Sequence, residues 1–501
     1  MSTAESWQKR YWVNTATNYL RVVLRLGGGI VLFRLTYQYL EPATFGFYSL
    51  LWSLFGFTVL LDFGLGFTVQ KAVATASAHG RYEEASRLVA TVFWCFVAAG
   101  ILMFVTALAC RGLFLEAVKV PPEHRAEFGR AYLVFFIFLS AGLPAGLFPE
   151  MLRGLQRIDL VNWLLIGGLT LNLAVLATAL LSGWSFPLIM LVSVATAVLP
   201  NAAAAFLVFK RAPGLSLAPV NFHIGSIKGV LGFSLIAYTI TFTNLIMSRT
   251  DQAVISLSIG VAFIALYQAG YKAAEMFNLF SVQLQDALTP AAAQLHAKGD
   301  RSGLLHLLTA STRMTTALVV PLGLLCAAYL EPLVRLLTGL KSVEPAILHT
   351  GWLLIAATLS SLLTSSCSKR ILMMSGWEKP LLRASLADAA ANLVLSLILV
   401  RSLGVAGVAL GTFVPTFLVG FFWILPLTAR FTGRPLTALL REAYLPGLLA
   451  ALPAAAVLGA LLAFAPLPPG AGLLDLAWRG ALVGIATFAG GWRHLRALRH
   501  G

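Results

Sequence analysis

About fourteen long apolar segments, each near the roughly 20 residues that a bilayer-spanning helix needs, follow one another along this chain with only short loops between them. They run 14–38, 45–68, 88–110, 131–149, 160–181, 185–209, 229–248, 253–287, 313–337, 347–367, 383–403, 405–429, 444–466 and 473–492. Together they use up almost all of the 501 residues, so no large soluble domain remains. Lys and Arg gather in every second loop. With Arg313, Arg335, Arg383 and Arg401 counted in the loops they adjoin, one set of loops carries 23 Lys and Arg, the other 8 and the spans 5. Basic loops stay on the cytoplasmic side, so both termini are expected there. The chain is expected to cross a membrane many times.

Apolar residues make up 58% of the chain and charged ones 11%, whereas soluble domains carry roughly 25% charged residues. A soluble fold is excluded. The net charge of +16 lies mostly beside span ends, where anionic headgroups rather than nucleic acid are the expected neighbours. Cys95, Cys110, Cys326 and Cys367 sit in or at the ends of apolar segments without metal-type spacing, and read as packing residues. The first span is long and carries three arginines, so it reads as a retained helix and not a cleaved leader.

The expected architecture is all-α. It has two six-helix lobes as pseudo-symmetric repeats, 1–209 and 229–430, joined by a cytoplasmic linker at 210–228 and followed by two extra spans and a basic tail at 431–501. The repeat rests on spacing. Tyr48 precedes Gly80 by 32 residues and Tyr267 precedes Gly299 by 32, both at one offset of 219. The run Arg153-Gly154-Leu155-Gln156-Arg157 is echoed by Ser375-Gly376-Trp377-Glu378-Lys379. Parallel repeats of this kind predict a substrate path where the halves meet. The stretch from Lys71 to Arg87 is amphipathic and suits either an interfacial helical turn or a solvated connector.

Charged groups inside spans are costly and tend to face a bundle interior or water. On span 1, Asn14, Asn18, Arg21 and Arg25 share a face, Thr36 continues it, and Arg34 points about 140° away. Arg21 and Arg25 are candidates for a cationic vestibule that takes a phosphate-bearing anion, because a guanidinium stays protonated and bonds two phosphate oxygens at once. Snorkelling to the interface is the plainer alternative. Span 8 offers Gln268, Tyr271, Glu275 and Asn278 on one stripe, with Lys272 three residues from Glu275, either lining a cavity or forming a neutral structural pair. On span 7, Thr241, Asn244 and Ser248 suit sugar recognition or helix–helix bonding. Gate or ion-coupling candidates are Asp62, Arg249, Asp251 and Asp388. Asp62 would gate or mark the membrane boundary. Arg249 and Asp251 would line an outer gate or satisfy each other across a short loop. Asp388, followed at four-residue steps by Asn392 and Ser396, would bind a proton or sodium ion or cap the inner end of its helix.

The stretch Asn18 to Leu88 carries a family likeness. "FGFYSLLWSLFGFTVLLDFGLG" followed by "HGRYEEASRLV" resembles the start of bacterial polysaccharide transporters, the oligosaccharide-lipid flippases of the multidrug/oligosaccharidyl-lipid/polysaccharide exporter superfamily. "LRGLQR" followed by Asn162, and in the second half "SRTDQAVISLSIG", "ALYQAGYKAAEMF" and "LTPAAAQLHAKGD", extend the resemblance over spans 1 to 12. It implies a two-lobed helical transporter, not an enzyme, that moves an undecaprenyl-pyrophosphate-linked oligosaccharide between leaflets for O-antigen, capsule or exopolysaccharide synthesis. Its expected partners are that glycolipid, membrane lipids, and a polysaccharide polymerase with its chain-length machinery. No phosphate-binding GxxxxGK[ST] loop is present, so coupling to a proton, a sodium ion or the membrane potential is expected, with no cofactor. The competing readings are a drug/cation antiporter of the same superfamily, which would need an acidic cavity, and a membrane-embedded polysaccharide polymerase, which would need long outer loops.

Overall fold

The computed structural model describes residues 2–58, 65–80, 82–225, 249–285, 288–468 and 472–497. They form helices and connecting turns, with no strand. A chain in hydrocarbon must satisfy its backbone within each segment, and helices do so. Serine and threonine side chains do likewise by donating to carbonyls one turn back, as Thr91 does to Arg87 and Thr316 to Thr312.

In chain order the helices are α1 (Ser2–Tyr39), α2 (Pro42–Gly56), α3 (Leu65–His79), α4 (Tyr82–Ala117), α5 (Arg125–Ala145), α6 (Leu147–Gly154), α7 (Ile158–Leu181), α8 (Phe186–Arg211) and α9 (249–258). There follow α10 (Phe263–Gln285), α11 (Leu288–Ala297), α12 (Arg301–Ala328), α13 (Leu330–Thr338), α14 (Pro345–Thr364), α15 (Ser366–Met374) and α16 (Glu378–Val419). The last are α17 (Leu425–Thr432), the single turn α18 (Leu436–Leu439), α19 (Leu445–Phe464) and α20 (Leu473–Ala497). The chain falls into two compact units, Met1–Leu245 with Gly260–Ala262, and Ile246–Ile259 with Phe263–Gly501.

Nine helical runs among the described residues are long and apolar enough to cross a membrane. One of them, Glu378–Thr432, holds two of the expected spans, bent at Gly404. The expected spans left over are the first, second, seventh and eighth. The seventh lies largely in 226–248, outside the described residues, and the second is interrupted by 59–64, also outside them. The first and eighth correspond to α1 and α10, which carry the arginines and the Lys272–Glu275 pair.

The repeat is visible element by element. At offsets near 219, α3 matches α11, α4 matches α12, α5 matches α14 and α6 matches α15. The left-handed backbone positions match too: Gly80 (φ 68°) with Gly299 (67°), Gln156 (58°) with Gly376 (80°), and Gly183 (65°) with Gly404 (59°). Close helix contacts come from missing side chains: a Cβ on Gly100 would meet Ser140 O at 2.6 Å, and one on Gly270 would meet Ile347 O at 2.7 Å.

The stretch 210–228 is not a free linker over its described part. Ser216 N donates to Ser86 Oγ at 3.0 Å, Trp94 Nε1 to Leu217 O at 2.9 Å and His223 N to Thr91 Oγ1 at 2.8 Å, so it lies along α4. The amphipathic stretch after Lys71 continues α3 to His79, and Arg81 lies outside the described residues. All four cysteines are free thiols.

Gly404 adopts φ 59° and ψ −139°, a region essentially closed to other residues, and nothing lies within 4 Å of where a Cβ would point. Gly404→Ala is therefore expected to cost about 1–3 kcal/mol from backbone strain alone. Gly459→Ala, within α19 and equally uncrowded, is expected to cost nothing. Thermal unfolding of the two variants in detergent reads the difference.

Candidate functional site

The first unit holds a cationic cluster beside a cavity. α1 packs on α7, where Asn162 Nδ2 donates to the buried Thr17 Oγ1 at 3.1 Å. Arg21 and Gly28 lie on the same face of α1, and Gly28 approaches Leu173. Arg21 is half-buried there and lies within electrostatic reach of Arg153 and Arg25. Arg25 is exposed. Arg153 sits on α6, a short helix set off from α5 just after Pro144 and Gly146, and pairs with Glu150 one turn back. α6 is held firmly: Met151 and Leu152 are fully buried, and a Cβ on Gly154 would meet Gln70 O at 2.6 Å.

Glu150 and Arg153 line a half-open cavity of about 500 Å³ within this unit. Gln70 and Asn201 add amide groups, and Phe55, Phe67, Leu143 and Leu147 supply an apolar wall. Three guanidiniums against one carboxylate make a place for an anion, and the apolar wall suits a ligand that is part lipid. The sequence pointed to Arg21 and Arg25 by their helical spacing, but not to Glu150 or to Arg153 as a member of the cluster. Their link to α1 crosses more than a hundred residues and has no local signature. Arg34 is half-buried on another face of α1, and Thr36 is buried and bonds its own helix at Leu32 O (2.7 Å). The side chain of Asn18, and Asp62 and Asn244 entirely, lie outside the described residues.

The second unit holds a buried acidic network. Tyr267 OH donates to Asp251 Oδ2, Thr412 Oγ1 lies 3.5 Å from the same oxygen, and Asn392 Nδ2 donates to Thr412 Oγ1 at 3.0 Å. Asp251, Asn392 and Asp388 are 7%, 1% and 3% exposed, so all three sit out of bulk solvent. Asp251 Oδ1, Gln252 Oε1, Asp388 Oδ1 and Asn392 Oδ1 are buried acceptors without a hydrogen-bond partner. Lys369 on α15 lies within electrostatic reach of Asp388.

Two readings change here. Asp388 is no helix cap: α16 begins at Glu378, ten residues earlier, so the carboxylate stands deep in the helix. Arg249 and Asp251 do not face each other across a loop, because residues 249–258 are helical and the turn comes at 259–262. The apolar stretch 253–287 hid that turn, since only Gly260 marks it. Of the span 8 stripe, Tyr271 stacks on Tyr267 (6.1 Å, 14°), Gln268 is half-buried and Asn278 exposed. Lys272 Nζ meets Glu275 Oε2 at 2.7 Å with both side chains partly open, the neutral pair that the spacing allowed.

The repeat supplies an internal control for this network. In the first unit Tyr48 OH and Ser193 Oγ are 2.8 Å apart, and Asn172 Nδ2 donates to Thr196 Oγ1 at 2.6 Å and to Ser193 O at 3.3 Å. Tyr48 and Ser193 match Tyr267 and Thr412 at offset 219, and Asn172 matches Asn392 at 220. The carboxylates have no counterpart: the matching positions are Leu32 and Gly168, and a Cβ on Gly168 would collide with Pro200. Both lobes share the tyrosine–hydroxyl–asparagine frame, and the second alone carries acids on it.

A bond to a carboxylate contributes about 1.5–3 kcal/mol and one between hydroxyls about 0.5–1.5. Tyr267→Phe is therefore expected to lower stability more than Tyr48→Phe by roughly 1 kcal/mol, read by denaturation in detergent. Equal losses would show that Asp251 is not charged in the folded protein.

Comparison with known proteins gives the following. A family model described as "Polysaccharide biosynthesis protein" matches residues 31–344. Among solved structures, an inward-facing multidrug resistance MATE family transporter of the MOP superfamily is similar at 15% identity and TM-score 0.68, covering 82% of this chain and 95% of its own. The lipid II flippase MurJ, in an inward closed conformation, is similar at 13% identity and TM-score 0.67, covering 97% and 99%. A point mutant of the Vibrio cholerae MATE transporter VcmN is similar at 16% identity and TM-score 0.56, covering 87% and 99%. At these identities the likeness is one of fold: the chain shares the all-helical fold of these three proteins. No curated protein sequence matches.

Proposed function

Because the chain belongs to the family of polysaccharide biosynthesis proteins, we propose that it flips an undecaprenyl-pyrophosphate-linked oligosaccharide across the bacterial inner membrane, from the cytoplasmic to the periplasmic leaflet. The observation that carries this reading is that Arg153 lines a cavity with both polar and apolar lining residues and lies within electrostatic reach of Arg21, which Arg25 also reaches. A pyrophosphate offers several charged oxygens to such a cluster, and planar guanidiniums bind them in pairs. The glycan follows into water and the polyprenyl chain stays in lipid. A drug/cation antiporter is disfavoured by the same cluster, because a cationic substrate would be repelled by it.

Alternating access needs a driving force. In this reading a cation occupies the second unit, where Asp251, Asp388, Asn392 and Gln252 present buried oxygens without partners. Anionic oxygens in a dry site are costly until a proton or sodium ion neutralises them, so occupancy would bias one conformation over the other. Both termini face the cytoplasm, on the side of the basic loops, and the natural partners are the polymerase and chain-length machinery that consume the product.

Arg21→Ala and Arg153→Ala are each expected to reduce surface glycan roughly tenfold or more, at unchanged protein level, since each removes a charge-assisted phosphate contact. Arg21→Lys should keep part of the activity, because the charge survives without the bidentate fork. Arg34→Ala should export normally. Glycan blots of cells carrying these variants test this, and normal export by the Arg21→Ala, Arg153→Ala double variant would contradict the assignment.

A further inference from the structure

The repeat also exposes a place where the two units differ at their α3–α4 and α11–α12 corners. In the first unit a cavity of about 460 Å³ lies between α3 and α4, lined by Lys71, Thr75, Glu84 and Ala85 among others. A Cβ on Gly214 would meet Tyr82 Cδ2 at 3.2 Å, and Ala85 and Ala212 are buried in the same core cluster. At offset 219 these residues become Arg301, Leu304 and Phe431. The second unit's cavity, of about 330 Å³, has a different lining: His296, Gly299, Arg301, Leu304, Trp377 and Phe431.

The cavity has a defined shape. Leu304 and Phe431 form its apolar floor, being 4% and 9% exposed, and Trp377 stands edge-on to Phe431 at 5.8 Å and 81°. Arg301 and His296 stand at the rim, both exposed, with Lys298 in the same turn. Arg301 Nη2 also lies against the loop at Gly433, where a Cβ would come within 3.5 Å. The neighbouring acid, Asp300, is spent on the helix start: its Oδ1 accepts from Gly303 N at 2.8 Å and from Ser302 Oγ at 2.9 Å. Those bonds hold its carboxyl below the usual carboxylate range, so it stays an anion directed at α12. Arg434 is engaged by Glu442. What remains open to a ligand is therefore basic at the rim, aromatic at the side and apolar at the floor.

We propose that this corner of the second unit binds a phosphate group, that of an anionic phospholipid headgroup or of a free phosphate, with Arg301 and His296 on the phosphate and Trp377 beside the glycerol or first carbons. Tryptophan and basic residues at a span end are the pairing that interfacial lipid favours. The site is separate from the Arg21–Arg153 cluster and independent of what the protein transports.

The test uses the full chain purified in detergent, with melting temperature followed against added dioleoylphosphatidylglycerol, dioleoylphosphatidylcholine or sodium phosphate. Phosphatidylglycerol is expected to stabilise more than phosphatidylcholine, and Arg301→Ala to raise its half-saturating concentration roughly tenfold, as loss of a charge-assisted bond does. Arg301 is exposed, so the variant should fold, and Arg301→Lys should restore most of the response. Stabilisation by sodium phosphate that Arg301→Ala abolishes would assign the site to free phosphate. Equal responses to the two lipids without any response to phosphate, or a phosphatidylglycerol response that survives Arg301→Ala, would overturn the proposal.

Discussion

The rest of this structure depends on the cost of a polar group in hydrocarbon. Such a group must find its partner inside the protein, and in each unit the partners are the same: a tyrosine, a serine or threonine and an asparagine, drawn from three helices in the first unit and from α10 and the bent α16 in the second. Tyr48, Ser193 and Asn172 hold the first bundle at its centre, and Tyr267, Thr412 and Asn392 hold the second. A frame that satisfies its own members leaves an added charge to be answered separately. The first unit adds arginines around Glu150, the second adds Asp251 and Asp388.

That division of charge is the chemical content of the fold. Guanidiniums stay protonated in every accessible environment, so Arg21, Arg25 and Arg153 mark a lasting preference for anions. Buried carboxylates can be neutralised by a proton or a small cation, so Asp251 and Asp388 mark a switchable charge. A duplicated scaffold has thus been specialised by opposite substitutions on matching helices. At α6 and α15 the signs run the other way, since Glu150 of the first unit and Lys369 of the second occupy equivalent places.

Much of the architecture was legible in the sequence, because hydropathy reports what lipid demands of each segment. The apolar runs gave the helices, and the 219-residue offset between Tyr48–Gly80 and Tyr267–Gly299 gave the repeat, which the matching left-handed turns display. The helical stripe of α1 singled out Arg21. What stayed hidden was whatever depends on a distant partner. Glu150 and Arg153 looked like loop residues until α6 placed them beside a cavity. Thr412 carried no signal until its offset from Ser193 was known. Asp388 looked like a cap because the charged Glu378, Lys379 and Arg383 hide the true start of α16. Asp251 looked like a loop residue because only Gly260 marks the turn at 259–262 within the apolar run.

If the cationic unit serves an anionic lipid-linked substrate, the protein moves such a lipid between leaflets. Purified protein reconstituted into liposomes with a fluorescent undecaprenyl-pyrophosphate oligosaccharide measures this directly, by the rate at which the glycan becomes accessible to an impermeant reagent on the far side. Movement is expected to depend on the protein and to be unaffected by an excess of cationic dye. Movement no faster than in protein-free liposomes, together with active export of the dye, would contradict it.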